Sequence, residues 1–150
     1  MTELQREDIE RILPHRDAML LVDRISIDGG TAVGETRIGR DAWYLRGHFP
    51  GNPVVPGVVL CEMMAQAGCV FFGSELASGT PYFAGIDRAR FRHPVVPGDT
   101  FRSVCTVGRD AGYLKTLTAK GYVNDTLCVD ATMSFVIRED SEDEMNGGAV

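Results

Sequence analysis

A long apolar helix, preceded by a strand pair and followed by four strand-like runs, predicts an α+β domain with one antiparallel sheet wrapped around a central helix. Three observations carry this reading. Residues 58–73, VVLCEMMAQAGCVFFG, are apolar on nearly every side, as a helix buried over most of its circumference must be. Along the last run, Leu127, Val129, Ala131, Met133, Phe135 and Ile137 alternate with Cys128, Asp130, Thr132, Ser134 and Arg138, the period of a half-buried antiparallel strand. Finally, a single apolar helix among so many strands can be covered only if the sheet curves around it.

The elements follow in order. Residues 6–12 read as a short helix that stops before Pro14, because proline cannot continue one. Residues 18–27 read as a strand, Asp28-Gly29-Gly30 as a turn, and residues 31–38 as the returning strand. From Asp41 to Pro56 the chain is rich in glycine and proline and reads as an ordered loop. The helix starts at Pro56 or Gly57, where a missing proline N–H costs nothing. The four later strands are expected at 81–91, 100–108, 112–123 and 126–137. The span 58–73 is too short for a membrane crossing of ~20 residues and carries Glu62 and Gln66, so no membrane span is expected.

At 150 residues the chain predicts one domain, large enough to bury a core without staples. A hydrophobic fraction of 44% with 24% charged residues excludes a disordered chain. Fifteen basic against 21 acidic side chains give a net charge of −6, which disfavours nucleic acid as a partner. The charge is uneven, however. Residues 139–150 hold five acids (Glu139, Asp140, Glu142, Asp143, Glu144) and no base, and read as a solvated, disordered tail after a domain spanning 1–138. Residues 88–120 hold seven bases against Asp99 and Asp110. The first ten residues are polar, without the apolar core of a signal peptide. Cys61, Cys69, Cys105 and Cys128 contain no Cys-x-x-Cys pair, so a cytoplasmic protein with buried, reduced thiols is expected.

Chemistry concentrates in Gly47-His48-Phe49-Pro50-Gly51-Asn52-Pro53-Val54-Val55-Pro56-Gly57 and the helix behind it. Glycines and prolines fix the backbone around an imidazole. Gly57 stands in the first helical turn, where an unpaired N–H at the positive end of the dipole can stabilise a carbonyl oxygen gaining charge. Glu62 is a lone carboxyl on an apolar helix, which must be paired, protonated or functional. Gln66, one turn later on the same face, can orient it. His15 and Arg16, and Asp23 and Arg24, are expected to make structural hydrogen bonds. Trp43, Tyr44, Phe71, Phe72, Phe83 and Phe91 read as core or cavity wall. The three histidines and four cysteines show no metal-ligand spacing.

The segments LPHRDAMLLVDRI, GHFPGNPVVPGVVLCEMMAQAG and YFAGIDRARFRHPVVPGDT closely resemble the FabZ-type (3R)-hydroxyacyl-acyl-carrier-protein dehydratases of type II fatty acid synthesis. The likeness covers roughly residues 6 to 138. It implies the hotdog fold and the elimination of water from 3-hydroxyacyl thioesters held on the phosphopantetheine arm of acyl carrier protein. No metal or redox cofactor is implied. His48 becomes the base for the C2 proton, Glu62 the acid for the departing hydroxyl, and Gly57 the amide that polarises the thioester. Tyr82 and Phe49 take the tunnel-gate and substrate positions. Glu at position 62, rather than Asp, matches the branch that dehydrates without isomerising the double bond. A homodimer whose sites combine His48 of one chain with Glu62 of the other is implied, and a trimer of dimers beyond it. Arg88, Arg90 and Arg92 alternate along one strand and so share a face, which is either a solvated sheet surface or a docking surface for the acidic carrier. Two rival readings stand beside the dehydratase: a hotdog acyl thioesterase, and a non-catalytic acyl- or carrier-binding subunit.

Overall fold

Side chains that are apolar almost all the way round a helix need cover on almost all sides, and the sheet supplies it. The computed structural model describes residues 1–140. Helix α1 is Arg6–Ile12, α2 is Gly57–Cys69, and α3 is Gly73–Leu76, reached through a 3-10 turn at Val70–Phe72. Strands β1 (Thr2–Leu4), β2 (Arg24–Asp28), β3 (Thr31–Arg37), β4 (Gly79–Phe91), β5 (Thr100–Ala111), β6 (Leu114–Val123) and β7 (Thr126–Glu139) form one sheet in the order β1-β2-β3-β5-β6-β7-β4. All pairings are antiparallel. The architecture is the α+β hotdog arrangement expected from the sequence.

From Leu60 to Cys69 every residue of α2 except Glu62 is buried. The continuous helical stretch Gly57–Leu76 is long and apolar enough to cross a membrane by length and composition, but here the sheet encloses most of it. Two glycines permit the close approach. A Cβ on Gly34 of β3 would lie 2.6 Å from Ala67 Cβ, and one on Gly68 would lie 2.5 Å from Leu117 Cδ1 of β6. Register shifts in β4 (at Phe83/Gly85 and Asp87/Arg90), β5 (at Val107/Arg109) and β6 (at Gly121/Tyr122) bend the sheet, as bulges do.

Lys115 shows how tightly the far end closes. Its side chain is 3% exposed, and Nζ donates to Glu75 on α3 (2.9 Å) and to Asp110 (2.6 Å). Burial opposes the ammonium form, but the two carboxylates outweigh it and hold the Lys115 pKa above its usual value.

Several expectations need correction. Residues 18–23 are not strand. A 3-10 turn occupies Asp17–Met19, and β2 begins only at Arg24. The strand expected from 112 starts at Leu114, because Gly112 (φ 76°) makes the hairpin turn. Cys128 faces the core, fully buried like its neighbour Val129. The pairing shifts from Tyr122↔Leu127 to Gly121↔Val129, so Cys128 sits in a bulge that breaks the alternation. The domain does not stop at Arg138: Glu139 belongs to β7, and Asp140 bonds Ser78 O through its N–H and accepts from Thr80 Oγ1. The remainder of the expected tail lies outside the described residues. The short β1 is an element the sequence reading did not contain.

The close contact at Gly34 gives a direct test. Gly34→Ala should destabilise the protein by about 1–3 kcal/mol through overpacking against α2, read as a lower urea midpoint. Gly39→Ala, with nothing within 4 Å of the added Cβ, should stay within about 0.5 kcal/mol of wild type. Equal midpoints for the two variants would contradict this account of the packing.

Candidate active site

The loop before α2 is held by its own backbone. His48 N–H donates to Leu45 O, Val54 N–H to His48 O, and Phe49 and Asn52 exchange two hydrogen bonds of 3.0 and 2.9 Å. Gly47 (φ 79°) and Gly51 (φ 73°) take left-handed conformations that favour glycine. His48 Nδ1 lies 2.9 Å from the Val54 carbonyl oxygen. That oxygen can only accept, so Nδ1 carries the proton and Nε2 presents a lone pair. A half-buried imidazole is thus set up as a base by a backbone contact.

His48 opens into an apolar cavity of about 640 Å³, walled by Val54, Pro56, Gly57, Val58, Phe91 and Pro94 among others. The first helical bonds of α2 run from Val59 N–H and Leu60 N–H to Pro56 O, which leaves the Gly57 and Val58 amides without helical partners. A Cβ on Gly57 would lie 2.6 Å from Phe91 Cε1, so only glycine lets the aromatic wall sit against the start of the helix.

Glu62 opens into a different cavity, of about 30 Å³, lined by His15, Gln66, Cys69, Pro81, Phe83 and Phe135 among others. Its Oε2 accepts a 2.9 Å hydrogen bond from Gln66 Nε2. Gln66, 1% exposed, also donates to Met19 O (2.7 Å) and accepts from Leu21 N–H (2.9 Å). Gln66 thus contacts the carboxyl with which the sequence pairs it. The two cavities share no lining residue, so one chain does not bring His48 and Glu62 together.

The other singled-out residues fall as follows. Phe49 stacks on His48 with ring centroids 4.1 Å apart. Tyr82 is 47% exposed on β4 and lines neither cavity, while its neighbours Pro81 and Phe83 point to the Glu62 side; a gate at Tyr82 is not formed within one chain. Arg88, Arg90 and Arg92 line one cleft of about 200 Å³ on the outer sheet face, with Thr118, Lys120, Asp130 and Thr132. They share it despite the bulge at Arg88 (φ 56°), and Arg92 is already paired with Asp130 at 2.7 Å. Arg16, Asp23 and Arg24 make the expected structural bonds, to Leu13 O and His15 O, from Arg37 N–H, and to Glu35. His15 does not. Its Nδ1 is buried without a partner among the described residues, and its Nε2 lies 3.6 Å from Glu62 Oε2. No local pattern in the sequence connects positions 15 and 62. Phe91 proves to be cavity wall, 54% exposed, and Phe72 core. All four thiols are buried and free, and burial pushes those of Cys69 and Cys105 up to about 12, leaving them poor nucleophiles.

The family model of the FabA-like domain matches residues 13–132. A 3-hydroxyacyl-(acyl-carrier-protein) dehydratase FabZ of Pelotomaculum thermopropionicum is 43% identical over 139 residues, covering 90% of this chain and 99% of that protein. The protein of the same name from Desulforamulus reducens is 44% identical over 133 residues, covering 86% and 94%. Among solved structures, the dehydratase heterocomplex ApeI:P of Xenorhabdus doucetiae superposes with a TM-score of 0.76 at 18% identity, over 93% of this chain and 95% of that one. A thioesterase of Pseudomonas aeruginosa gives 0.61 at 9% identity, over 77% and 81%. At such identities the structures share the fold alone.

The Gln66 amide offers a stability test. Gln66→Leu leaves the Leu21 N–H and the Met19 carbonyl unpaired, and should cost on the order of 3 kcal/mol in the urea unfolding midpoint. A variant as stable as wild type would show that water replaces the amide without loss.

Proposed function

The chain belongs to the FabA-like family, among its FabZ-type 3-hydroxyacyl-(acyl-carrier-protein) dehydratases, and on that premise we propose that it removes water from (3R)-3-hydroxyacyl thioesters carried on acyl carrier protein, giving trans-2-enoyl thioesters for fatty acid or related acyl biosynthesis. The observation that carries the reading is His48 Nε2, a lone pair fixed by Val54 O in an apolar cavity beside the unpaired Gly57 amide. His48 takes the C2 proton. The electron pair left behind spreads to the thioester oxygen, which the Gly57 N–H and the α2 dipole stabilise. The pair returns to form the C2–C3 double bond as the C3–O bond breaks, and the oxygen leaves as water with a proton from Glu62. Proton exchange with solvent resets both side chains. No metal or redox group takes part in this scheme.

A second copy completes the site in this reading, since His48 and Glu62 open into separate cavities of one chain. Strand β4 supports it: 13 residues long, it stands at the sheet edge with Tyr82, Phe83, Ile86 and Phe91 exposed. A long apolar edge is what a pairing strand would cover. We take the homodimer as the minimum unit, with the trimer of dimers resting on the family resemblance, and a cytoplasmic location with it. The Arg88–Arg92 cleft, with Lys120 beside it and only Asp130 to oppose the charge, suits an acidic carrier protein.

Three measurements test the proposal. His48→Ala and Glu62→Gln should each nearly abolish hydration of a crotonyl thioester without loss of fold. Retention of more than about a tenth of wild-type rate, ~1.4 kcal/mol, would remove the assigned role, and free thiol release in place of hydration would favour a thioesterase. Mixing the two inactive variants under subunit exchange should restore activity to about a quarter of wild type, because half of the dimers then carry one intact site. No recovery would contradict a site shared between chains. Charge reversal at Arg88 and Arg90 should weaken turnover on carrier protein and spare a small thioester; equal loss on both would eliminate the docking surface.

A further inference from the structure

Glu62 holds its two carboxyl oxygens differently. Oε2 receives the Gln66 amide at 2.9 Å and faces His15 Nε2 at 3.6 Å. Among the described residues Oε1 has no hydrogen-bond partner, and it keeps some exposure. We propose that His15 is a positioning residue for Glu62: with Gln66 it fixes Oε2, so that Oε1 is the oxygen turned toward the leaving hydroxyl. This inference rests on the acid role given to Glu62 above.

The placement of His15 is rigid. It follows Pro14 at the end of α1, and Arg16 Nη1 donates to both Leu13 O (2.8 Å) and His15 O (2.7 Å), locking the turn. The ring enters the same cavity as Glu62. Among the described residues Nδ1 is buried without a partner, an arrangement that costs stability and is rare in folded proteins. A proton on Nδ1 would have nothing to donate to, whereas a proton on Nε2 points at a carboxyl oxygen. At 3.6 Å the contact is electrostatic rather than a formed hydrogen bond, of the kind that tightens when substrate fills a site.

The residue type matters. A lysine or arginine at this place would put a full positive charge on Glu62 and favour its ionised form. A neutral imidazole offers an N–H without that charge. His15 is kept neutral chiefly by burial, which lowers its pKa; Glu62 opposes this and Arg16 adds to it. The other groups around the cavity bring no charge: Cys69 is a thiol pushed up to about 12, and Ala65, Pro81, Phe83 and Phe135 do not titrate.

The test compares two substitutions in the full-length protein. His15→Phe keeps the ring volume and removes the donor, whereas His15→Gln keeps an amide N–H at a similar reach. His15→Phe should lower kcat for crotonyl thioester hydration roughly tenfold to a hundredfold, the cost of a misplaced catalytic group, with KM nearly unchanged, and His15→Gln should recover most of that loss. Equal kcat for the two variants, or a loss confined to KM, would overturn the inference. Nitrogen-15 spectra of histidine-labelled wild type and Glu62→Gln supply a readout that does not depend on either His15 variant folding. His15 should carry its proton on Nε2, and its titration midpoint should fall further in Glu62→Gln, because a favourable negative charge is lost. An Nδ1–H tautomer, or an unmoved midpoint, would equally overturn it. If Glu62→Gln abolishes activity while His15→Phe keeps the wild-type kcat, the positioning role alone fails. If Glu62→Gln stays active, the acid role beneath it fails.

Discussion

One buried side-chain amide ties the first third of the chain to the helix that carries Glu62. Gln66 Oε1 accepts from the Leu21 N–H, and its Nε2 donates to Met19 O and to Glu62 Oε2. The orientation admits no alternative, because Leu21 N can only donate and Met19 O can only accept. Among the described residues the segment between Met19 and Leu21 pairs with no strand, and Gln66 supplies the partners that a neighbouring strand would otherwise give it. The same fixed amide then directs an N–H at one oxygen of Glu62. Removing the amide would therefore disturb a backbone segment and the Glu62 carboxyl together.

Helix α2 reaches both cavities from one rigid rod. Its first amide faces the His48 cavity, and Glu62 stands five residues further on, about 7.5 Å along the axis. The sheet covers every face except the stripe that includes Val58, 74% exposed, and Glu62. Gly34 and Gly68 let the sheet approach so closely that the rod has no room to shift. In the shared-site reading, this rigidity sets how far the polarising amide of one site lies from the acid of the other.

Most of the fold was legible because its signals are local. The apolar run 58–73, the turn at Asp28-Gly29-Gly30 and the alternation in β7 each depend on neighbours in sequence, and each element lies within a few residues of where it was expected. Three of the misreadings share one cause. Leu20, Leu21 and Val22 are buried, as a strand reading demands, yet their segment is pinned by Gln66, 45 residues away. Cys128 is turned inward by a bulge whose cause lies in the pairing with β6. Glu139 and Asp140 looked like tail because they are acidic, yet Glu139 pairs with Gly79 of β4 and Asp140 is held by contacts to Ser78 and Thr80. In the site, His48, Gly57, Glu62 and Gln66 stood out through residue type and spacing. His15 did not, because its meaning depends on a contact across the fold.

The two edges of the sheet differ in a way that bears on how a second copy would dock. One edge is β1, three residues long, with Thr2 and Glu3 exposed, too short and polar to invite pairing. The other is β4, which borders both cavities: Phe83 lines that of Glu62, and Phe91 lines that of His48. If β4 pairs with its own copy about a two-fold axis perpendicular to the strand, the contact is self-complementary and the strands run antiparallel. Antiparallel pairing sets the Phe83 end of one strand against the Phe91 end of the other. The Glu62 cavity of each chain is then carried toward the His48 cavity of its partner, and this happens twice. A parallel pairing would set like ends together and leave each base beside a second base. The edge that most needs cover is thus the one whose covering would bring Glu62 of one copy to His48 of the other.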